Sequence, residues 1–566
     1  MRVLILSTAF SGMAQRLLGE LSVLGHTVDQ HYDLDPTSLR AQLRSFQPDV
    51  VLCPFLTQKI PEDIWQQYLC LIVHPGIEGD RGASSLDWAI TEADSEWGVT
   101  LLQAADEMDA GDIWGTQTFP MRNGSKTSIY KREVTTAAMD LIVRALDDIA
   151  SGDYQPRKLD YTNSNVRGRL RPNMKRRDRA IDWDVDSTEE IINRLNAADS
   201  RPGVRSVING FDVNMFGAKA EPVLKGAPGD VLAVHRGAIC CGTTDGAVWI
   251  RQLKCNNVEG LAPIKMPAST VLGKICRPDQ IGELGGVDGG SVVDDVWVES
   301  KGDVAYVYFN FYNGAMGTQQ CIELKHRIQR VKQSDVKIIV LMGGDDFWSN
   351  GIHLNVIEGA NDPALESWRN INAIDDVVME IMNTPNQMTV AALRNNAGAG
   401  GAIMALACDE VVIRDGVVLN PHYKTMGLYG SEYWTYLLPK HVGELKAKQI
   451  MDECQPMLAE EAVQLGVAEV MMPEDWDTYH QQLFSHCEQL LDAVNFDDFL
   501  SSKMAQFNTD NETKPFATYR MEELKFMREA FYDLDSEYHL KRHNFVYKIK
   551  EEKQSSVVEL TMAFAS

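Results

Sequence analysis

The sequence predicts an α/β multidomain protein. It should have an N-terminal doubly wound, Rossmann-like domain, a small OB-like β-barrel, and a C-terminal α/β domain with terminal helices. Three observations lead there. Apolar runs of strand length alternate with amphipathic helical stretches from Val3 to Gln103. Short β runs separated by Gly turns follow between Ser206 and Leu253. A second strand–helix alternation occupies Val304 to Met471, and a chain of 566 residues exceeds what one core can serve.

Composition bounds the class of function. Hydrophobic content of 44% and charged content of 24% are those of a soluble globular protein. The formal net charge of −26 argues against a nucleic-acid partner, because phosphate binding needs a basic surface. Ten cysteines include no CxxC pair and no metal-ligand spacing with histidine, so they read as thiols in a reducing compartment, with no metal expected. No apolar run approaches the ~20 residues of a membrane span. The apolar start Val3–Leu6 is too short for a signal-peptide core. A cytoplasmic protein is expected.

In the first domain, MRVLILSTAFSGMAQRLLGELSVLGHTV reads as a strand, a Gly-containing turn, an amphipathic helix and a second strand. The runs PDVVLCPF and LCLIVHPG add two more strands, and functional groups in such sheets gather at strand carboxyl ends. Phe55, Leu56 and Thr57 lie at one such end. His74 lies at the next, before the loop GDRGASSLDWAI; the strand Trp97–Gln103 then leads to ADEMDAGDIW. A histidine so placed also serves as a structural hydrogen-bonder. The spacing of His74–Pro75, Arg81–Gly82–Ala83, Gly98–Val99–Thr100 and Asp109–Ala110–Gly111–Asp112, however, resembles that of the formyltetrahydrofolate-dependent formyltransferases. The resemblance implies 10-formyltetrahydrofolate bound against Phe55, Leu56, Thr57 and the segment Ala105 to Asp109. It also implies His74 as proton shuttle, with Asp109 orienting or charge-stabilising the imidazole. The family asparagine that holds the formyl oxygen falls on Ile72, and loss of such a donor costs ~10²–10³ in rate unless another group substitutes.

The first domain is assigned to residues 1–155 and a connecting segment to 156–180. The latter is basic (RKLDYTNSNVRGRLRPNMKRRDR). Two readings stand: a linker packed on an acidic neighbour, or an anion-binding surface for tRNA or for the phosphates of CoA, joined by Lys131 and Arg132. Beyond it, Ser187 with Glu190 three residues on forms a capping-box signature. The short strands of residues 181–276, with Ile181–Asp182–Trp183 and Arg201–Pro202–Gly203, resemble the C-terminal OB-like domain of methionyl-tRNA formyltransferases. A Gly- and Asp-rich link covers 277–295.

In the last part, Val336–Met342 is a buried-strand run followed by a turn at Asn350–Gly351. The strand Met388–Leu393 precedes Gly398, Gly400 and Gly401 at the start of a helical stretch, Ala402–Ala407. Glycines there let a ligand approach the backbone, and the helix start leaves N–H groups unpaired. That arrangement suits a carbonyl oxygen that becomes negative in a transition state. With Ala407–Cys408–Asp409, Pro421, Gly427 and AEEAVQLGVAEVM, these features resemble the enoyl-CoA hydratase/isomerase (crotonase) family over Val304 to Glu474. A CoA thioester is implied, gripped by the N–H groups of Asn350 and Gly400, with Asn313–Gly314–Ala315 near the adenine end. The two hydratase glutamates fall on Ile403 and Tyr423, so ordinary hydration is not expected; Tyr423 and Glu432 are the remaining acid–base candidates. Residues 296–475 are assigned to this crotonase-like domain and 476–566 to a helical region, where Arg542 is a candidate for a CoA phosphate.

A formyltransferase half fused to a crotonase-like half resembles the hydrogenase maturation factors of the HypX/HoxX type over nearly the full length. The resemblance implies formyl transfer from 10-formyltetrahydrofolate to CoA at His74. Formyl-CoA lacks an α-carbon, so the expected outcome is its breakdown to carbon monoxide and CoA, with Tyr423 and Glu432 as proton donor and acceptor. The carbon monoxide would serve a nickel–iron hydrogenase, whose large-subunit precursor or maturation machinery is the implied partner. The alternatives are a formyl-CoA hydrolase or other formyltransferase releasing formate, and a non-catalytic folate- and CoA-binding scaffold.

Overall fold

The computed structural model describes residues 1–32, 35–152, 155–259, 261–276, 293–493 and 495–549. All of the 277–295 link before Val293 lies outside the described residues.

The first domain carries strands β1 (Arg2–Ser7), β2 (Thr27–His31), β3 (Val50–Phe55), β4 (Cys70–His74), β5 (Glu96–Gln103) and β6 (Ile113–Pro120), in the order β2-β1-β3-β4-β5-β6. The first four are parallel, and β1 is buried along nearly its whole length, as its unbroken apolar run requires. Ser11 caps the helix Gly12–Val23 and Asp35 caps Pro36–Phe46, each accepting a backbone N–H. Strand β5 departs from the parallel expectation: it pairs antiparallel with β4, His74 opposite Thr100. The connection between them stays at the carboxyl end of β4, and that leaves the 75–84 loop lying over His74.

The second domain holds β7 (Val204–Ile208), β8 (Phe211–Glu221), β9 (Val231–His235), β10 (Ala238–Gly242), β11 (Ala247–Cys255) and β12 (Met266–Pro267). The antiparallel order is β7-β8-β11-β10-β9, with β12 on β11. Among the described residues β7 and β9 are not paired, so this OB-like sheet stays open along that seam. Helices Thr188–Ala197 and Ala268–Ile275 complete its core. The Ser187–Glu190 capping box is present. Much of the basic segment is paired with the first domain: Arg157 with Glu78, Arg167 with Glu96, Arg169 and Arg171 with Glu92, and Arg179 with Asp87. These five arginines pack on an acidic neighbour.

In the third domain β13 (Val296–Lys301), β14 (Val304–Phe309), β15 (Ile338–Gly343), β16 (Met388–Leu393), β18 (Glu410–Arg414) and β21 (Val470–Met472) form one sheet in that order. A small sheet of β17 (Ala397–Gly398), β19 (Val418–Asn420) and β20 (Met457–Leu458) stands beside it. The terminal helices are not a separate region. Tyr479, Leu483 and Cys487 of Trp476–Ala493 bury against one face of the main sheet. Phe516, Leu524, Met527, Phe531 and Tyr538 of the last two helices join the principal core on the other. Each such side chain contributes about 1.5–3 kcal/mol by leaving water, enough to hold these helices in one cooperative unit. The first and third domains are tied by Arg16, whose guanidinium meets Glu474 at 2.6 and 2.8 Å; Thr136 donates to the same carboxylate at 2.6 Å.

Candidate functional site

His74, the last residue of β4, is buried at the carboxyl end of the sheet. Its Nε2 lies 3.1 Å from Oδ2 of Asp80, while Nδ1 lies 3.8 Å from Oδ2 of Asp109. The expected orienting partner, Asp109, is therefore beyond hydrogen-bond distance of the ring. Its carboxylate instead accepts the Gly82 N–H at 3.0 Å, and Asp80 takes the place at the imidazole. Asp80 carried only a weak signal in the sequence, an acid between glycines in the GDRG loop. Ile72 lies on β4 with Cys53 and Leu102 as register partners, so no polar side chain occupies the family asparagine's position. The two stretches expected at the folate lie next to one another, Leu56 packing in one core cluster with Ala104. Thr57 donates its N–H to Thr8 at 3.1 Å, and Phe55 sets its ring edge-on to Tyr130. Lys59 reaches Asp106 Oδ1 at 3.0 Å and ties this loop to the Ala105–Asp109 segment.

The second site is a cavity of about 830 Å³ between the second and third domains. Asn313, Ala315, Asn350, Gly400, Tyr423 and Glu432 line it together, although they come from five separate stretches of chain. Gly314 stands behind this wall: a Cβ there would strike Phe347, and its carbonyl accepts the Asn350 N–H at 2.7 Å. Asn350 therefore cannot supply the free donor expected of it. Two residues on, the Ile352 N–H has no partner among the described residues, and Ile352 lines the cavity. A Cβ on Gly351 would stand 3.2 Å from the Gly400 nitrogen, so the two turns meet at this point. The N–H of Gly400, first in the helix Gly400–Ala405, is likewise unpartnered. Ile352 and Gly400 thus present the pair of donors. The signal for Ile352 was only its place after a turn glycine.

Glu432 lies against Gly400 so closely that a Cβ built on the glycine would overlap its carboxyl. Tyr423 donates its hydroxyl to Glu432 Oε2 at 2.8 Å, and the Ser431 N–H adds a bond at 3.0 Å. Glu432 and Tyr433 hold left-handed backbone (φ 61° and 59°), a conformation that costs non-glycine residues about 1–3 kcal/mol. Two carboxylates that sequence reasoning missed pin this bend. Asp375 accepts the Ser431 hydroxyl at 2.7 Å and the Glu432 N–H at 2.9 Å; Glu523 accepts the N–H groups of Tyr433 and Thr435 at 2.9 and 2.8 Å. Burial, and then the neighbouring Asp375, push the Glu432 carboxyl up to about 8. Burial likewise raises Asp375 to about 6 and Glu523 to about 8. Burial and the Glu432 charge hold the Tyr423 hydroxyl well above its ordinary value. Ile403, where a hydratase glutamate would stand, is buried and apolar.

Cations gather in the cavity wall: Arg201, Lys254, Lys265 and Lys548. Burial lowers the Lys265 ammonium to about 8, which makes an anionic ligand there favourable. Of the cations expected to meet CoA, Arg542 is turned away to Glu358 at 2.7 Å, and Lys548 is the basic side chain of that helix's end in the wall. Lys131 stacks on Phe347 at 3.3 Å and Arg132 on Trp476 at 3.6 Å, so both sit at the contact between the first and third domains. These cations and the two free N–H groups fit a phosphate-bearing thioester. No helix among the described residues is long and apolar enough to cross a membrane, and no cluster of metal-ligating side chains occurs among them.

Comparison with known proteins finds relatives for both halves of the chain. A formyl transferase family model matches residues 24–146, a formyl transferase C-terminal domain model 173–262, and an enoyl-CoA hydratase/isomerase model 299–553. A methionyl-tRNA formyltransferase from Thermotoga neapolitana is 26% identical over 215 residues, 38% of this chain and 67% of that one. The hydrogenase maturation factor HoxX of Bradyrhizobium diazoefficiens is 39% identical over 561 residues, 98% of this chain and 96% of that protein. The crystal structure of HypX from Aquifex aeolicus in complex with tetrahydrofolic acid superposes with a TM-score of 0.91 at 40% identity, covering 97% of both chains. The chain belongs to the HypX/HoxX family of hydrogenase maturation factors.

Proposed function

We propose that this protein transfers the formyl group of 10-formyltetrahydrofolate to the thiol of CoA and then releases carbon monoxide from the product, for the iron of a nickel–iron hydrogenase. The observation that carries the reading is the buried Tyr423–Glu432 pair packed against the Gly400 N–H, in a cavity that has an aliphatic residue where a hydratase has glutamate.

In the first step His74 accepts the thiol proton while sulfur bonds the formyl carbon. The folate nitrogen leaves with the C–N electron pair and takes that proton back from His74. In the second, the N–H groups of Ile352 and Gly400 fix the formyl oxygen and Glu432 accepts the formyl proton. The C–H pair stays on carbon as the C–S bond breaks, and Tyr423, hydrogen-bonded to Glu432, returns a proton to the departing thiolate. Atoms and electrons balance without an oxidant. Arg201, Lys254, Lys265 and Lys548 would hold the CoA phosphates. The hydrogenase large-subunit precursor, or its maturation machinery, is the proposed recipient, and a cytoplasmic location follows from that partner.

The test incubates the protein with 10-formyltetrahydrofolate, CoA and reduced myoglobin. The carbon monoxide Soret shift should require both substrates and vanish with His74→Ala. Glu432→Gln should slow gas release by about 10²–10⁴-fold while formyl-CoA accumulates. Since Glu432 must be ionised to accept the proton, gas release should rise with pH and level off above about 8. Formate as the product, with no gas, would replace this reading by a hydrolase.

A further inference from the structure

Both ring nitrogens of His74 face carboxylates, but only one at bonding distance: Asp80 at Nε2 (3.1 Å), against Asp109 at Nδ1 (3.8 Å). An ionised carboxylate only accepts, so the nitrogen beside Asp80 must carry the hydrogen. In the neutral imidazole Nδ1 then holds the lone pair. Asp80 is fully enclosed, and a buried charge persists only when it is paired. Its second oxygen, Oδ1, faces Arg171 Nε at 3.3 Å, and neither atom has a hydrogen-bond partner among the described residues. We infer that Asp80 is a positioning residue that fixes His74 as its Nε2–H tautomer, and that Arg171 of the basic connecting segment holds Asp80 in place.

The backbone supports this division of labour. Segment 168–171 is laced to loop 78–82: Gly168 N–H donates to Glu78 O at 3.1 Å, Arg81 N–H to Arg169 O at 3.2 Å, and Arg171 N–H to Arg81 O at 2.9 Å. Side chains at Gly168 and Gly82 would overlap the Asp80 nitrogen and the Arg171 carbonyl, so the two segments lie as close as glycine allows. Glu92 holds the far side of the Arg171 guanidinium at 2.8 Å. The connecting segment thereby completes the first domain's site from outside that domain. With Nδ1 unprotonated on the Asp109 side, the thiol proton goes to Nδ1. This last point rests on the formyl-transfer reading; the tautomer does not.

The experiment is ¹⁵N NMR of the full-length protein labelled at histidine, with His74 assigned by the signal lost in His74→Gln. A slowly exchanging Nε2–H and an unprotonated Nδ1 are expected. In Asp80→Asn that protected proton should disappear, and formyl transfer should fall by at least roughly tenfold, the direction seen when a triad carboxylate is replaced by an amide. The KM for the folate should stay within about twofold. Arg171→Gln is the second variant, should Asp80→Asn fold poorly; it should weaken the same resonance with the loop sequence intact. A proton on Nδ1 in the unaltered protein, or a protected Nε2–H that survives both substitutions, would overturn the inference. So would its loss with unchanged transfer rate. Absence of any formyl transfer in the unaltered protein would remove the proposed function instead, and the tautomer would still be read.

Discussion

At Gly400 one hydrogen separates a working backbone donor from the carboxyl of Glu432. Gly400→Ala should force Glu432 off its present position and out of its bond to Tyr423. Overpacking of a filled site costs about 1–3 kcal/mol, so the urea midpoint should fall and gas release should fall with it. An alanine variant as stable as the parent would mean that the Glu432 side chain is free to move. The glycine turn at Gly400 is a local feature of the sequence, whereas Tyr423 and Glu432 were singled out through the resemblance to the crotonase family, and the fold brings all three to one cavity. The same resemblance placed the second donor at Asn350, and the chain folds so that this N–H meets Gly314 while Ile352 faces the cavity.

The bend from Ser431 to Thr435 is an element held from outside. Helix Pro363–Met382 sends Asp375 to one side of it and helix Phe516–Tyr532 sends Glu523 to the other. Three buried carboxyls, all shifted upward, give stability a definite pH dependence. Between the ordinary 4.5 and about 8, the unfolded chain has lost the Glu523 and Glu432 protons that the native state still binds. Their contribution is complete below the unfolded value and is lost as pH rises through about 8. Chemical denaturation should therefore show stability falling from mildly acidic pH to pH above 8, and Glu523→Gln should flatten that fall. A fall of unchanged slope in the variant would assign it to other groups.

Across the whole molecule, the Arg16–Glu474 pair joins the domain of His74 to the domain of Glu432. Arg16 is nearly enclosed, so Glu474→Ala leaves a cation short of its partner, with only Glu20 remaining. A loss of about 3 kcal/mol is expected in the denaturant midpoint, the low end for breaking a buried pair. If the two domains share one intermediate, more formyl-CoA should also escape to solution, measured by trapping it with an added acceptor. Unaltered stability would show the contact to be dispensable.

The sequence by itself carried the strand–helix alternation of the first and third domains, in its apolar periodicity, and the strand end at His74 and the glycine turn at Gly400, which are local features. The family, and with it the choice of Tyr423 and Glu432, came from the resemblance of its motifs to known proteins. Tertiary structure decided the rest: Asp80 rather than Asp109 at the imidazole, Ile352 rather than Asn350 as donor, and Lys548 rather than Arg542 in the cavity wall. It also merged the terminal helices with the crotonase-like core and set the direction of β5. The physical reason is one of range. A helix cap or strand face is set by neighbours along the chain, whereas burial and hydrogen-bond partnership are set by groups brought together from distant positions, as Asp375 and Glu523 are at Glu432.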